Sequence, residues 1–92
     1  MWIQFDSQTA VNTENLSEIV VEGGYKDGYG IYARKEKDFC GRIYCLGKYD
    51  TEVHVQSAFR RILSSIGERE DFIVMPLRGR TDLHSYEIEG QI

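Results

Sequence analysis

The chain has 92 residues with a formal net charge of −4, and 41% of it is hydrophobic. That length holds one domain with a single core, and the composition excludes a largely disordered chain. Positive and negative residues are interspersed (Lys35, Glu36, Lys37, Asp38; Glu68, Arg69, Glu70, Asp71), as on a solvated surface, which argues against nonspecific binding to nucleic acid or anionic lipid. No stretch approaches the roughly 18 apolar residues of a membrane span, and the N-terminus MWIQFDSQTAVN lacks the basic and apolar regions of a signal peptide. The expected compartment is the cytoplasm. Two cysteines are too few for a disulfide scaffold, which agrees.

In chain order, MWIQF reads as an opening strand, DSQT as a turn and AVN as a short continuation. LSEIVVE (16–22) is rich in β-branched residues, with Ile19 and Val21 on one face and Val20 on the other. GGYKDGYG (23–30) supplies glycines and an Asp27-Gly28 pair, the residues a hairpin reversal needs. YGIYARK then alternates Tyr29, Ile31 and Ala33 against Tyr32 and Arg34, as a half-buried strand does. RIYCLG follows as another strand, with Ile43 and Cys45 expected in the core and a tight connection after it.

Asp50 or Thr51 can cap the segment EVHVQSAFRRILSSIG, in which Val55, Ala58, Phe59, Ile62, Leu63 and Ile66 form an apolar stripe at helical spacing. A helix over about 52–66 is expected, with Gly67 as its left-handed C-terminal residue. A further strand over about 72–76 ends at Pro76, the only proline. The expected fold is α+β: an antiparallel meander with one amphipathic helix packed on one face, then the last strand. Residues 1–77 form the domain, and 78–92 a polar extension, an edge strand or an arm.

Chemistry is sparse. Cys40, Cys45, His54 and His84 could be lined up as metal ligands. On one strand, however, an odd separation of five residues sends the two thiols to opposite faces, while zinc needs every ligand within about 2.3 Å. No metal site and no cofactor are assigned. Glu68, Glu70 and Asp71 read as solvated charges at a helix end, Ser64 and Ser65 lack an activating base in sequence, and no catalytic residue is assigned. Binding residues are easier to find. Tyr25, Tyr29, Tyr32 and Tyr44 stand among Arg34 and Arg42, with Arg78 and Arg80 after the last core strand; tyrosine and arginine dominate protein-interface hot spots and can also clamp anions.

The opening MWI, the later AVN, the block LGKYDT leading into an amphipathic helix and the closing VMP resemble the pattern of short uncharacterised proteins of Firmicutes and their phages and prophages. The similarity runs from Met1 to about Pro76. The region from Gly23 to Cys40 departs from it, being longer than the compact middle usual there. The resemblance implies a small cytoplasmic phage or prophage accessory protein, and it brings no catalytic residues. The expectation is a non-enzymatic protein that works by stoichiometric contact with a host protein, a defence component included, or with itself as a homo-oligomer. The alternatives are an oligomeric sponge that holds a nucleotide or other small anion between subunits with Arg78, Arg80 and nearby tyrosines, and, ranking below it, a nucleic-acid-binding regulator. No membrane partner is expected.

Overall fold

A computed structural model describes residues 1–25, 28–35 and 43–82, the side chains of Gly24 and Tyr25 excepted. Its elements are β1 (Trp2–Gln4), β2 (Ala10–Asn12), a 3-10 turn (Thr13–Asn15), β3 (Glu18–Tyr25), β4 (Gly28–Arg34), β5 (Ile43–Tyr49), α1 (Glu52–Gly67) and β6 (Phe72–Val74). The fold is α+β. The meander is the antiparallel sheet β3-β4-β5, and α1 packs across one of its faces. The first, second and last strands form a separate sheet in the order β2-β1-β6, with β1 antiparallel to β2 and parallel to β6. A parallel partner needs a long crossover, and here everything from β2 to α1 lies between β1 and β6.

Both sheets and the helix share one core. Ile3, Val11, Ile73 and Met75 come from the mixed sheet and its flank, Ile31, Ala33, Leu46 and Tyr49 from the meander, and Val55, Ala58 and Ile62 from α1. The alternation of LSEIVVE and YGIYARK is realised: Ile19, Val21 and Tyr29 pack against the core, and Ile31 and Ala33 are buried in it. Tyr25 pairs with Gly28, whose φ is 81°, so the chain reverses at the glycine-rich stretch as its composition requires.

β5 departs from the expected parity. It runs on through Gly47, Lys48 and Tyr49, and the residues entering the core are Leu46 and Tyr49, while Ile43 is 56% exposed and Cys45 is half-buried. The cause is a bulge. Ile31 pairs with Gly47 but Tyr32 pairs with Cys45, leaving Leu46 as the extra residue that resets the alternation.

Thr51 caps α1, its hydroxyl accepting from the His54 N–H at 3.2 Å. The buried stripe is narrower than expected: Val55, Ala58, Ile62 and Ser65 are buried, while Leu63 and Ile66 are exposed by 49% and 42%. The meander is met by the face centred on Ile62, which carries the stripe through Ser65 and leaves Leu63 and Ile66 on its flank. Gly67 is also not the left-handed residue. It is the last helical one, and Arg69 takes φ 57° instead. The Glu70 N–H then reaches back to the Ser65 carbonyl (3.0 Å) and the Arg69 N–H to that of Ile66 (3.1 Å), the bonds of a Schellman ending. Among the described residues, no helix is long and apolar enough to cross a membrane.

Candidate functional site on the outer face of the meander

Strand alternation that sends Ile19, Val21, Ile31 and Ala33 inward leaves Glu18, Val20 and Glu22 of β3 and Tyr32 and Arg34 of β4 on the opposite, open face. With Ile43 of β5 these side chains line a hollow of about 330 Å³. The register explains the grouping: Glu18 is opposite Arg34, Val20 opposite Tyr32, and Arg34 opposite Ile43. Arg34 Nε lies 3.4 Å from Glu18 Oε1, with both side chains about half exposed. Such a pair orients the guanidinium more than it stabilises the fold, contributing under about 1 kcal/mol.

A second hollow, about 180 Å³, adjoins the first and shares Glu22 and Tyr32 with it, adding Gly30 and Lys48. Gly30 lies between Glu22 and Lys48 in the register. A Cβ there would stand 2.6 Å from Tyr32 Cε2, so the glycine leaves room for the tyrosine ring to lie down over the sheet. The face thus combines one aromatic ring, two aliphatic side chains, two basic groups and two carboxylates. The two carboxylates beside the two basic groups set this face against a concentrated anion.

Of the residues expected to bind, Tyr32 and Arg34 meet in this hollow. Tyr29 packs against the core and also lines the second hollow, whereas Tyr44 lies elsewhere, its ring meeting that of Phe5 edge-on at 6.5 Å. Arg42 and the side chain of Tyr25 lie outside the described residues. Arg78 is exposed. The Arg80 side chain is only 3% exposed and is spent on structure: Nε and Nη2 donate to the two carboxylate oxygens of Asp82 at 2.9 Å each, and Nη1 donates to the Phe5 carbonyl at 2.8 Å. Burial alone would push both ionised groups toward neutrality. Their mutual bonds outweigh it, raising the Arg80 pKa and lowering that of Asp82.

This pair ties residues 79–82 into the domain, although the sequence marks off an extension from residue 78. The Asp50 N–H donates to the Gly79 carbonyl (2.9 Å), the Thr81 N–H to that of Lys48 (2.9 Å), and Arg80 bridges to Tyr49. Tyr49 is fully buried, its hydroxyl donating to the Pro76 carbonyl at 2.7 Å, and burial pushes its pKa up to about 12.

His54 Nδ1 lies 2.7 Å from Asp50 Oδ1, and that bond lowers the Asp50 pKa. A Cβ at Gly79 would run into this ring, so the glycine makes room for the pair. Among the described residues, the ring's hydrogen-bond partner is Asp50, and no hydroxyl or thiol side chain bonds to it. Burial, then Asp82, raises the Cys45 pKa, away from a reactive thiolate. Among the described residues, no group of three or more His, Cys, Asp and Glu side chains could hold a metal ion; Cys40 and His84 lie outside them.

The sequence reading missed Glu18, Val20, Glu22 and Ile43 as lining residues, although the alternation in LSEIVVE already set the first three on one face. It also missed the Asp50–His54 and Arg80–Asp82 pairs, whose spacings of four and two residues were the readable signals. Compared with known proteins, the chain matches no family model, no curated protein and no solved structure at a significant level.

Proposed function

We propose that this chain is a small binding protein that acts by stoichiometric contact with another protein, through the outer face of β3, β4 and β5. The single observation that carries the reading is the hollow joining Tyr32 and Arg34 to Val20 and Ile43. It places a ring, a guanidinium already oriented by Glu18 and exposed aliphatic area side by side, which is the chemistry of an interface hot spot. The resemblance to short phage and prophage proteins supplies the setting: an accessory factor in the host cytoplasm whose partner is a host protein, with defence components as the first class to test. The anion-sponge reading draws less support, because the Arg80 guanidinium is held by Asp82 and the Phe5 carbonyl.

The test is capture of a host protein by the tagged chain, then calorimetric titration of that purified protein. The expected result is saturation at one partner per chain and a loss of about a hundredfold in affinity for the Tyr32→Ala, Arg34→Ala double variant. Unchanged affinity in a folded double variant would remove this face from consideration.

A further inference from the structure

The bare edge of β6 carries an inference independent of the meander face. β6 is a three-residue strand with one neighbour among the described residues, β1. The Trp2 N–H donates to the Asp71 carbonyl (2.8 Å), the Met75 N–H donates to the Gln4 carbonyl (2.9 Å), and Ile3 aligns with Ile73. Bonding groups alternate along a parallel ladder, so Ile73 turns its N–H and carbonyl to β1 while those of Phe72 and Val74 point outward. Among the described residues, nothing pairs with them. An unprotected edge of this kind is a template for another strand.

The flanking face is equally open. Phe72 and Val74 are each 52% exposed and Trp2 49%. They share the outer face of the mixed sheet with Gln4, Ala10 and Asn12, opposite the buried Ile3, Val11 and Ile73. Among the described residues of these three strands, no charged side chain stands on this face, in a chain that is 28% charged. A large aromatic pair with charge excluded is the composition of an interface core.

We propose that β6 is a self-pairing edge through which two copies of the chain join antiparallel, about a two-fold axis at Ile73, into one continuous sheet β2-β1-β6-β6-β1-β2. Centred there, the pairing sets Phe72 opposite the partner's Val74, and each bare N–H meets a bare carbonyl. The same geometry is self-complementary in charge. Glu68, Arg69, Glu70 and Asp71 precede β6 with a net charge of −2 and Arg78 follows it, so an antiparallel pair sets the net acidic flank of one copy toward the Arg78 side of the other, whereas a parallel pair would set like toward like. Two chains of net charge −4 repel over most of their surfaces, and the uncharged face is where they can meet. Pro76 and the turn before Phe72 limit the ladder to this short edge. The contact therefore falls below the roughly 1,200 Å² of stable complexes and is weak and concentration-dependent.

Sedimentation equilibrium of the whole chain from about 10 µM to about 1 mM, the range of weak interfaces, tests this. The expected result is a mass rising from 10.6 kDa toward twice that value. Val74→Pro removes an outward N–H that no described strand uses, at an edge position where proline is tolerated, and it should weaken the dimer by about 30-fold or more. Val74→Lys, which keeps the backbone donor and places a charge on each side of the contact, should weaken it too, and it decides the matter if the proline variant loses its native circular dichroism. A monomer mass throughout the range overturns the proposal, as does a dimer that survives the substitution.

Discussion

Arg69 holds a left-handed backbone (φ 57°) in the turn that ends α1, while Gly67, free to adopt that conformation, is helical and has nothing within 4 Å of where a Cβ would stand. Each residue therefore opposes its local conformation. A non-glycine residue in the left-handed region costs roughly 1–2 kcal/mol, and glycine in a helix costs roughly 0.5–1 kcal/mol relative to alanine. Arg69 is exposed, so losing its side chain forfeits little. Arg69→Gly and Gly67→Ala should each stabilise the chain by about 0.5–1 kcal/mol. Urea unfolding checks this: the midpoint should rise for each variant with an unchanged slope, and the two gains should nearly add only if the Schellman bonds to Ser65 and Ile66 persist in both.

At the scale of elements, the segment after β6 decides how the two sheets are joined. Arg80 reaches from beside Tyr49 to the end of β1 at Phe5, and Gly47 makes room for it, since a Cβ there would lie 3.3 Å from Arg80 Nε. Removing one member strands a buried charge, whereas removing both relieves the desolvation cost as well. Asp82→Ala should therefore cost about 3 kcal/mol, and an Arg80→Met, Asp82→Leu double variant less than that. The Asp82 carboxylate has a folded pKa below its ordinary value. Its contribution is present above the unfolded pKa of about 3.9 and is lost as pH falls through the folded one. The gap between wild type and Asp82→Ala should thus close in acid; a gap that persists at the lowest pH would deny the ion pair its role.

These elements also mark where the sequence was legible and where it was not. The helix, the hairpin and the inward sets of β3 and β4 follow from periodicity and turn chemistry confined to a few residues, and the structure has them. The parity of β5 failed because one extra residue, Leu46, resets the alternation; the glycine beside it, a known companion of bulges, read instead as the end of the strand. The division into two sheets was hidden for another reason. β1 finds β6 across some seventy residues, and strand pairing at that separation depends on the shared core rather than on anything local. The same holds for the hollow: Tyr32 and Arg34 were visible as a pair, but Val20 and Ile43 join them only through the register of three strands. Arg80 looked free although Asp82 stands two residues on, because the Phe5 carbonyl that completes its set meets it only in the folded chain.

For the molecule as a whole, the question is whether two three-stranded sheets behave as one cooperative unit. The backbone ties of the meander run to the segment after β6, at Tyr49–Arg80, Asp50–Gly79 and Lys48–Thr81, so cohesion between the sheets falls to the common core and to the ties from Tyr49 to Pro76 and from Arg80 to Phe5. A core cluster that draws Ile3 and Ile73 from one sheet, Ile31 and Leu46 from the other and Ile62 from the helix couples them through packing, which is lost at all its members together. Trp2, the single tryptophan, stands on the mixed sheet and reports its unfolding by fluorescence. Far-ultraviolet circular dichroism is dominated by α1 on the meander. The two signals should give coincident urea transitions in the wild-type chain. In the Tyr49→Phe, Arg80→Ala variant both ties are cut while the apolar packing of Tyr49 is kept, so the tryptophan transition should move to lower urea ahead of the dichroism. Coincident transitions in that variant would mean that core packing alone joins the sheets, and transitions already separate in the wild type would mean that the mixed sheet opens as a unit of its own.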